Sequence, residues 1–251
     1  MMAVWPDLEV RDRRAELMDD PALDGVRHRN ALRALARINR VSLGAWRLER
    51  EIAALHARSA TPVRVLDVAC GGGDLLIRVA LAARRAGRTL VLHGCDRSPE
   101  ALDFARDAGN AAGLAGASGG DGSESLRFFQ VDALHDELPE GYDLVTSSLF
   151  LHHLEWSDAV NLLRRMAAAA RHRVLVQDLR RTHLGYAFAW VGLHTLTRSD
   201  VARVDGLRSV RAAFTLDEVR RLCEEAGLSG ADVEGAWPQR FVVRWEHEEA
   251  A

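Results

Sequence analysis

The chain has 251 residues, enough for one domain of ordinary to large size with an appendage, and 48% of them are hydrophobic, ample for a proper core. Thirty-three basic residues against 36 acidic ones give a formal net charge of −3 with no basic run, which excludes the electrostatic footprint of a nucleic-acid binder. Three widely spaced cysteines (Cys70, Cys95, Cys223) form no C-x-x-C pair, no apolar run reaches the length of a membrane span, and the first residues lack the cationic start and apolar core of a signal peptide. A reducing, cytoplasmic setting without membrane insertion is therefore expected.

Residues 1 to about 20 are charged and irregular, with Pro6 and Pro21 as breaks. From Asp24 to His56, apolar stripes at three- and four-residue steps predict two helices with Ser42 or Gly44 near their junction; Ser59 to Pro62 then form a linker. The stretch VRVLDVACGGGD (Val63 to Asp74) starts as a β-branched run suited to a buried strand. It breaks at Gly71, Gly72 and Gly73 and resumes as the helix pattern of Leu75, Leu76, Val79 and Ala80. Thr89 to Asp96 reads as a second strand, and Ser98-Pro99-Glu100 as a capped helix start. Gly113 to Ser125 is rich in Gly, Ala and Ser, the composition of a surface loop. Strands follow at Leu126–Asp132 and Tyr142–Ser148, a helix at Trp156–Ala170, and a fifth strand at Arg173–Asp178. Arg180 to Ala213 has no sheet role, Leu216–Glu225 is helical, and SGADVEG and QRFVVRW read as two strands joined at Trp237-Pro238. The alternation predicts an α/β fold with a parallel, doubly wound sheet.

A strand that feeds a glycine turn and then a helix is the opening unit of a nucleotide-binding domain, because glycine lets the backbone approach a ligand and the helix start offers N–H groups. The NAD fingerprint needs glycine where Leu76 stands. Asp96, about twenty residues past the glycines, sits where a carboxylate accepts ribose hydroxyls; a helix-capping aspartate is the competing reading. After the fourth strand come Ser147, Ser148, Leu149, Phe150 and the pair His152–His153. A histidine pKa near 6.5 suits a general base at neutral pH. Residues adjacent on a helix point about 100° apart, so one of the two is expected to face a pocket while the other packs or caps. No metal site is expected, since adjacent histidines rarely present both nitrogens to one ion and no Cys or Glu spacing supports them. Cys70 and Cys95 read as small buried fillers.

Asp67-x-Ala69-x-Gly71-x-Gly73 resembles motif I of the class I S-adenosylmethionine (SAM) methyltransferases, with Ala69 at the family's usual first glycine. An alanine methyl fits there if φ is negative. The resemblance runs in order from about Val63 to Trp245, and it implies a Rossmann-like, doubly wound, seven-stranded sheet with an antiparallel last strand. Asp67 would lie near the amino-acid part of SAM, with Ala69, Cys70, Gly71 and Gly73 passing close to it. Asp96 and Arg97 would take the ribose, Asp132 and Ala133 the adenine, and Ser147 and Ser148 would border the cofactor with Leu149 and Phe150 in its walls. Asn39 to Arg47 is similar to the N-terminal helix segment of ubiquinone/menaquinone-type methyltransferases, so Arg40 or Arg47 would neutralise the cofactor carboxylate. Residues 1–60 then form a helical cap and 61–251 the SAM-binding domain, with residues 181–213 covering substrate.

Phe150, Arg180, His183, Tyr186 and Trp190 are the candidate substrate residues, and Asp178 ends the fifth strand beside them. A helical core stripe is the competing reading of the aromatics. The expected reaction is methyl transfer to a small, largely apolar acceptor, phenolic, polyketide-like or quinone-like. O-methylation is favoured and quinone-type C-methylation is the alternative. Rivals are an NAD(P) oxidoreductase, which lacks its third glycine and a Tyr-x-x-x-Lys pair here, and a non-catalytic SAM-binding protein. An RNA or protein methyltransferase is disfavoured by the near-neutral charge and by the absence of Asn/Asp-Pro-Pro-Tyr.

Overall fold

The computed structural model describes residues 6–20, 22–39, 43–57, 61–114 and 126–247. The loop expected at 113–125 lies, from residue 115 on, outside these, as do Arg40 and Ser42. In chain order the elements are α1 (Gly25–Asn39), α2 (Gly44–His56), β1 (Val63–Val68), α3 (Asp74–Arg85), β2 (Leu90–Asp96), α4 (Pro99–Ala111), β3 (Leu126–Gln130) and β4 (Tyr142–Ser148). There follow α5 (Trp156–Ala169), β5 (Ala170–Leu179), α6 (His183–Leu196), α7 (Asp200–Ala212), α8 (Leu216–Glu225), β6 (Asp232–Ala236) and β7 (Arg240–Glu246).

The sheet has seven strands in the order β3-β2-β1-β4-β5-β7-β6. β1 to β5 pair in parallel, and β7 inserts antiparallel beside β5. Strands covered on both faces must be apolar nearly throughout, and β1, β2 and β4 are buried along almost their whole length. One face packs against α5 and α8 through residues such as Leu162, Leu163, Met166 and Leu222. The other packs against α2, α3 and α4 through Leu48, Ile52, Leu76 and Leu102. Local chemistry agrees with the helix starts: Ser98 accepts from the Ala101 N–H with Pro99 behind it, and Thr215 and Glu218 form a reciprocal capping box.

The 181–213 segment forms two helices. α7 packs against α1 through Ala31, Ala34, Val201 and Ala202. The charged N-terminal residues are irregular, as expected, yet pinned. Arg11 donates to the carbonyls of Ala212, His152 and Leu154 at 2.5–2.8 Å. Buried Arg181 donates to Leu8 O at 3.0 Å and pairs with Glu218. Asp205 accepts the N–H groups of Leu17 and Met18. Residues 6–20 thus form a strap across the ends of β4 and β5.

Candidate active site

The parallel strands all end on one edge, and chain reversal there leaves a pocket lined by Gly44, Ala45, Asp67, Ala69, Cys70, Asp74, Leu75, Arg78, Ser148, Leu149 and Arg240. Asp67, Ala69, Cys70, Ser148 and Leu149 were legible in the sequence. Asp74, Arg78 and Arg240 were not. Backbone strain gathers at this place: Leu43, Ala69, Leu149 and Gln239 are the non-glycine residues with positive φ among those described, and each lines the pocket or adjoins a residue that does. The expected negative φ at Ala69 is therefore corrected. Its φ is +57°, left-handed like Gly71 and Gly73, because the strand must turn at once into α3. Ala69→Gly should relieve about 1–2 kcal/mol of left-handed strain, offset in part by about 0.4–1 kcal/mol of unfolded-chain entropy. A net gain of stability in urea melts is the expected outcome.

Asp67 is fully buried, and its Oδ1 and the Ser148 hydroxyl have no hydrogen-bond partner. Burial, with Asp74 and Asp96 adding repulsion, pushes the Asp67 carboxyl well above the usual range. Opposite stands Arg240 on β7, whose guanidinium burial lowers to about 10 against the pull of Asp178 and Asp74. Arg47, on α2, donates to Trp237 O at 2.5 Å and so ties the first turn of α2 to the β6–β7 connection. Ser147 does not border the pocket as expected: its hydroxyl is buried and donates to Val68 O at 2.9 Å, which locks the tips of β1 and β4 together.

Farther along the edge, Asp96 accepts the Gly71 N–H through one oxygen (2.8 Å) and the Ser98 N–H through the other (2.9 Å). It positions the glycine turn and the Ser98 cap of α4 at once, and each oxygen keeps a lone pair for another donor. Arg97 beside it is exposed. Past β3, Asp132 accepts from the Leu134 N–H at 3.0 Å; its carboxyl lies below the usual range because that bond, His135 and Arg97 outweigh burial. The Ala133 methyl is in the core. Arg180 turns elsewhere: its backbone N–H donates to Gln239 O, and its guanidinium lies over Gly235 of β6. His183 and Trp190 are exposed on α6, Trp190 stacks on His194, and Phe188 meets Trp237 edge-on.

The histidine pair differs from expectation. Both rings lie side by side, centroids 4.2 Å apart, on a single 3-10 turn, and both reach Glu16 of the strap. His152 is buried. Its Nδ1 is 2.7 Å from Asp178 Oδ1, and its backbone N–H donates to Asp178 Oδ2. Burial alone would lower its pKa, but Asp178 and Glu16 outweigh it and hold it at about 10. An imidazole so held is already protonated at neutral pH, which removes His152 as a free general base in this arrangement. Glu16 stays below its usual range despite burial, through His152, His153 and Ser209. A carboxylate does accompany the pair, Glu16 from far upstream, where no local spacing could reveal it. Phe150 packs at the edge of the core, 6.1 Å from the His153 ring.

The family described as a methyltransferase domain matches residues 65–173. The chain is 30% identical over 190 residues to a ubiquinone biosynthesis O-methyltransferase of Nitrosospira multiformis, covering 72% of this chain and 68% of that protein. The chain belongs to the class I SAM-dependent methyltransferases. A demethylmenaquinone methyltransferase of Deinococcus radiodurans is 33% identical over 143 residues, 56% of this chain and 54% of that protein. In fold the chain resembles magnesium protoporphyrin IX methyltransferase of Synechocystis with bound S-adenosylhomocysteine, at a TM-score of 0.56 and 17% identity, covering 91% and 90% of the two chains.

The pocket of this methyltransferase fits SAM on two observations. An unpartnered buried carboxylate oxygen and an unpartnered hydroxyl, on Asp67 and Ser148, are acceptors suited to an ammonium group. A Cβ at Gly71 would meet nothing within 4 Å, so the turn leaves open space there. When bound, the cofactor supplies a methyl group already activated by its sulfonium. Asp67→Asn should therefore split two readouts. Removing a buried, repelled carboxylate should raise the melting temperature of the free protein by a few degrees, about 2–4 °C per kcal/mol at this size. The same change should weaken S-adenosylhomocysteine binding about tenfold or more in calorimetry, the loss of one charge-assisted hydrogen bond.

Proposed function

We propose that this methyltransferase acts on a small, largely apolar phenolic or quinone-like acceptor, by O-methylation. The observation that carries the reading is α6. It begins immediately after the β5 tip, capped by Thr182, and holds no acidic residue in its first turn. Leu184, Phe188, Trp190, Val191 and Leu196 stay exposed along it, with Trp237 against Phe188. So much apolar surface beside a strand-tip pocket suits a flat, apolar acceptor better than a charged one. The name of the Nitrosospira relative supports the oxygen acceptor. Residues 1–60 and 181–213 act in this reading as the cover, with α1 and α7 packed together.

On the cofactor side, Asp67, Ser148, Ala69, Cys70, Gly71 and Gly73 form the cradle, with Arg40 or Arg47 toward its carboxylate. Asp96 and Arg97 take the ribose, and Asp132 and Ala133 the adenine. Phe150, His183, Tyr186 and Trp190 are the residues proposed toward the acceptor, Arg180 being turned over β6 instead. His153 is the candidate for the base, His152 being committed to Asp178. The chain's own work is to hold the acceptor oxygen in line with the methyl group and to exclude water.

Incubation with SAM and a panel of catechols, prenylated phenols and demethylated naphthoquinones, read by mass spectrometry and by NMR of the product, tests it. A new methoxyl signal on a phenol is expected. Methyl appearing on ring carbon would favour the C-methylation alternative. No transfer to any of them, by protein that still binds S-adenosylhomocysteine, overturns the acceptor class.

A further inference from the structure

The Glu16–His152–His153 cluster lies outside the cofactor pocket, and the reading above gives Glu16 no task. Three ligand atoms, one from each residue, lie within 4.8 Å of one another. Glu16 Oε1 is 3.8 Å from His152 Nε2, and Oε2 is 3.9 Å from His153 Nε2. Those separations exceed a hydrogen bond. They are close to the spacing of donors around one ion with bonds of about 2.0–2.2 Å.

The supports of the cluster are those a metal site needs. His152 keeps Nδ1 on Asp178 at 2.7 Å, which turns Nε2 toward Glu16, where an ion would displace the proton Nε2 carries in the metal-free chain. A carboxylate behind a histidine in this way fixes its tautomer and raises its donor strength. Glu16 is held in turn by the Ser209 hydroxyl, which donates to Oε1 at 2.5 Å. The backbone of the pair is clamped by Arg11 on His152 O and Arg13 on His153 O. The side chains of Glu16 and His152 are 11% and 4% exposed, while that of His153 is 27% exposed, so the cluster opens to solvent on one side only.

We infer that Glu16, His152 and His153 form a binding site for one borderline divalent metal ion, of the Zn²⁺ or Co²⁺ kind, with Asp178 and Ser209 behind the ligands. Two imidazoles and one carboxylate favour such ions over Mg²⁺ or Ca²⁺, which require oxygen donors. Three protein ligands leave a fourth position on the open side for water or a substrate oxygen. Such an ion also fastens the strap to the end of β4, and while it is bound His153 is a ligand rather than the base.

The test uses the full chain, stripped with a chelator and titrated with Co²⁺ by calorimetry and visible absorbance. One Co²⁺ per chain with the intense bands of a four-coordinate centre is expected, together with no Mg²⁺ binding at the same concentrations. Glu16→Gln and His153→Ala, both at partly open positions, should each weaken Co²⁺ at least tenfold. Asp178→Asn should weaken it about 10–100-fold by its effect on His152. Circular dichroism of the metal-free variants establishes that they are folded. Absence of Co²⁺ binding to folded wild-type chain overturns the inference. So does binding left intact in both Glu16→Gln and His153→Ala, which would locate the metal on surface histidines.

Discussion

Gly73→Ala should cost about 3 kcal/mol or more of stability and leave the protein unable to bind S-adenosylhomocysteine. Position 73 has φ +70°, and a Cβ built there lies 2.6 Å from Phe128 Cζ and 2.9 Å from the Ala105 Cβ. Left-handed strain contributes about 1–2 kcal/mol. Overpacking against a ring wedged between β2, β3 and α4 adds about 1–3 kcal/mol, since Phe128 is buried and its retreat would open a gap elsewhere. The turn that carries Ala69, Cys70 and Gly71 would move with it. Gly71→Ala is the matched comparison: its φ is +52° with nothing within 4 Å of the added methyl, so only the strain contribution should appear. Urea melts of the two variants, with calorimetry of cofactor-product binding, check the pair. Equal losses would mean that Phe128 gives way freely.

Asp178→Ala should be the other severe change, at about 3–5 kcal/mol, the usual cost of leaving a buried charge without its partner. Asp178 is wholly buried and accepts from three donors: the His152 ring, the His152 N–H and the Leu179 N–H. Its carboxyl is kept below the usual range because these outweigh burial. In metal-free protein the two arms of the pair give opposite pH limits. His152 is held at about 10, above its unfolded value, so its contribution is complete below about pH 6.5 and lost as pH rises through 10. The contribution of Asp178 is present above about pH 4 and lost as pH falls through its lowered value. The stability gap between wild type and Asp178→Ala should therefore be widest between those limits and narrow on both sides. A gap that does not vary with pH would show that the charges contribute little.

The sheet could be read from sequence because its determinants are local. β1, β4 and β5 are apolar runs that end at small or acidic residues, and Leu216–Glu225 carries its own capping box. The turn between β6 and β7 lies at Trp237-Pro238, where the punctuation placed it. β5 begins at Ala170, earlier than its hydrophobic pattern, since pairing with Tyr142 extends it into residues with no apolar signal. Half of the pocket wall was hidden. Arg240 reaches it only because β7 runs antiparallel and brings its first residue to the edge where the parallel strands end. Glu16 joins the histidines because an irregular, charged segment crosses the tips, and charge without periodicity gives no hint of where it will dock. Ala69 misled for a related reason: residue type favours negative φ, and the tertiary turn overrides it.

The strap has a consequence for the order of assembly. Its partners include Arg181, Asp205, Arg211 and Ala212, all made long after residues 6–20 have left the ribosome. An earlier-made segment is thus the one that must wait for later ones, and local pairing along the sheet can proceed without it. Contacts spanning such sequence separations close slowly. During translation residues 6–20 should be protease-sensitive and become resistant only once α7 has emerged.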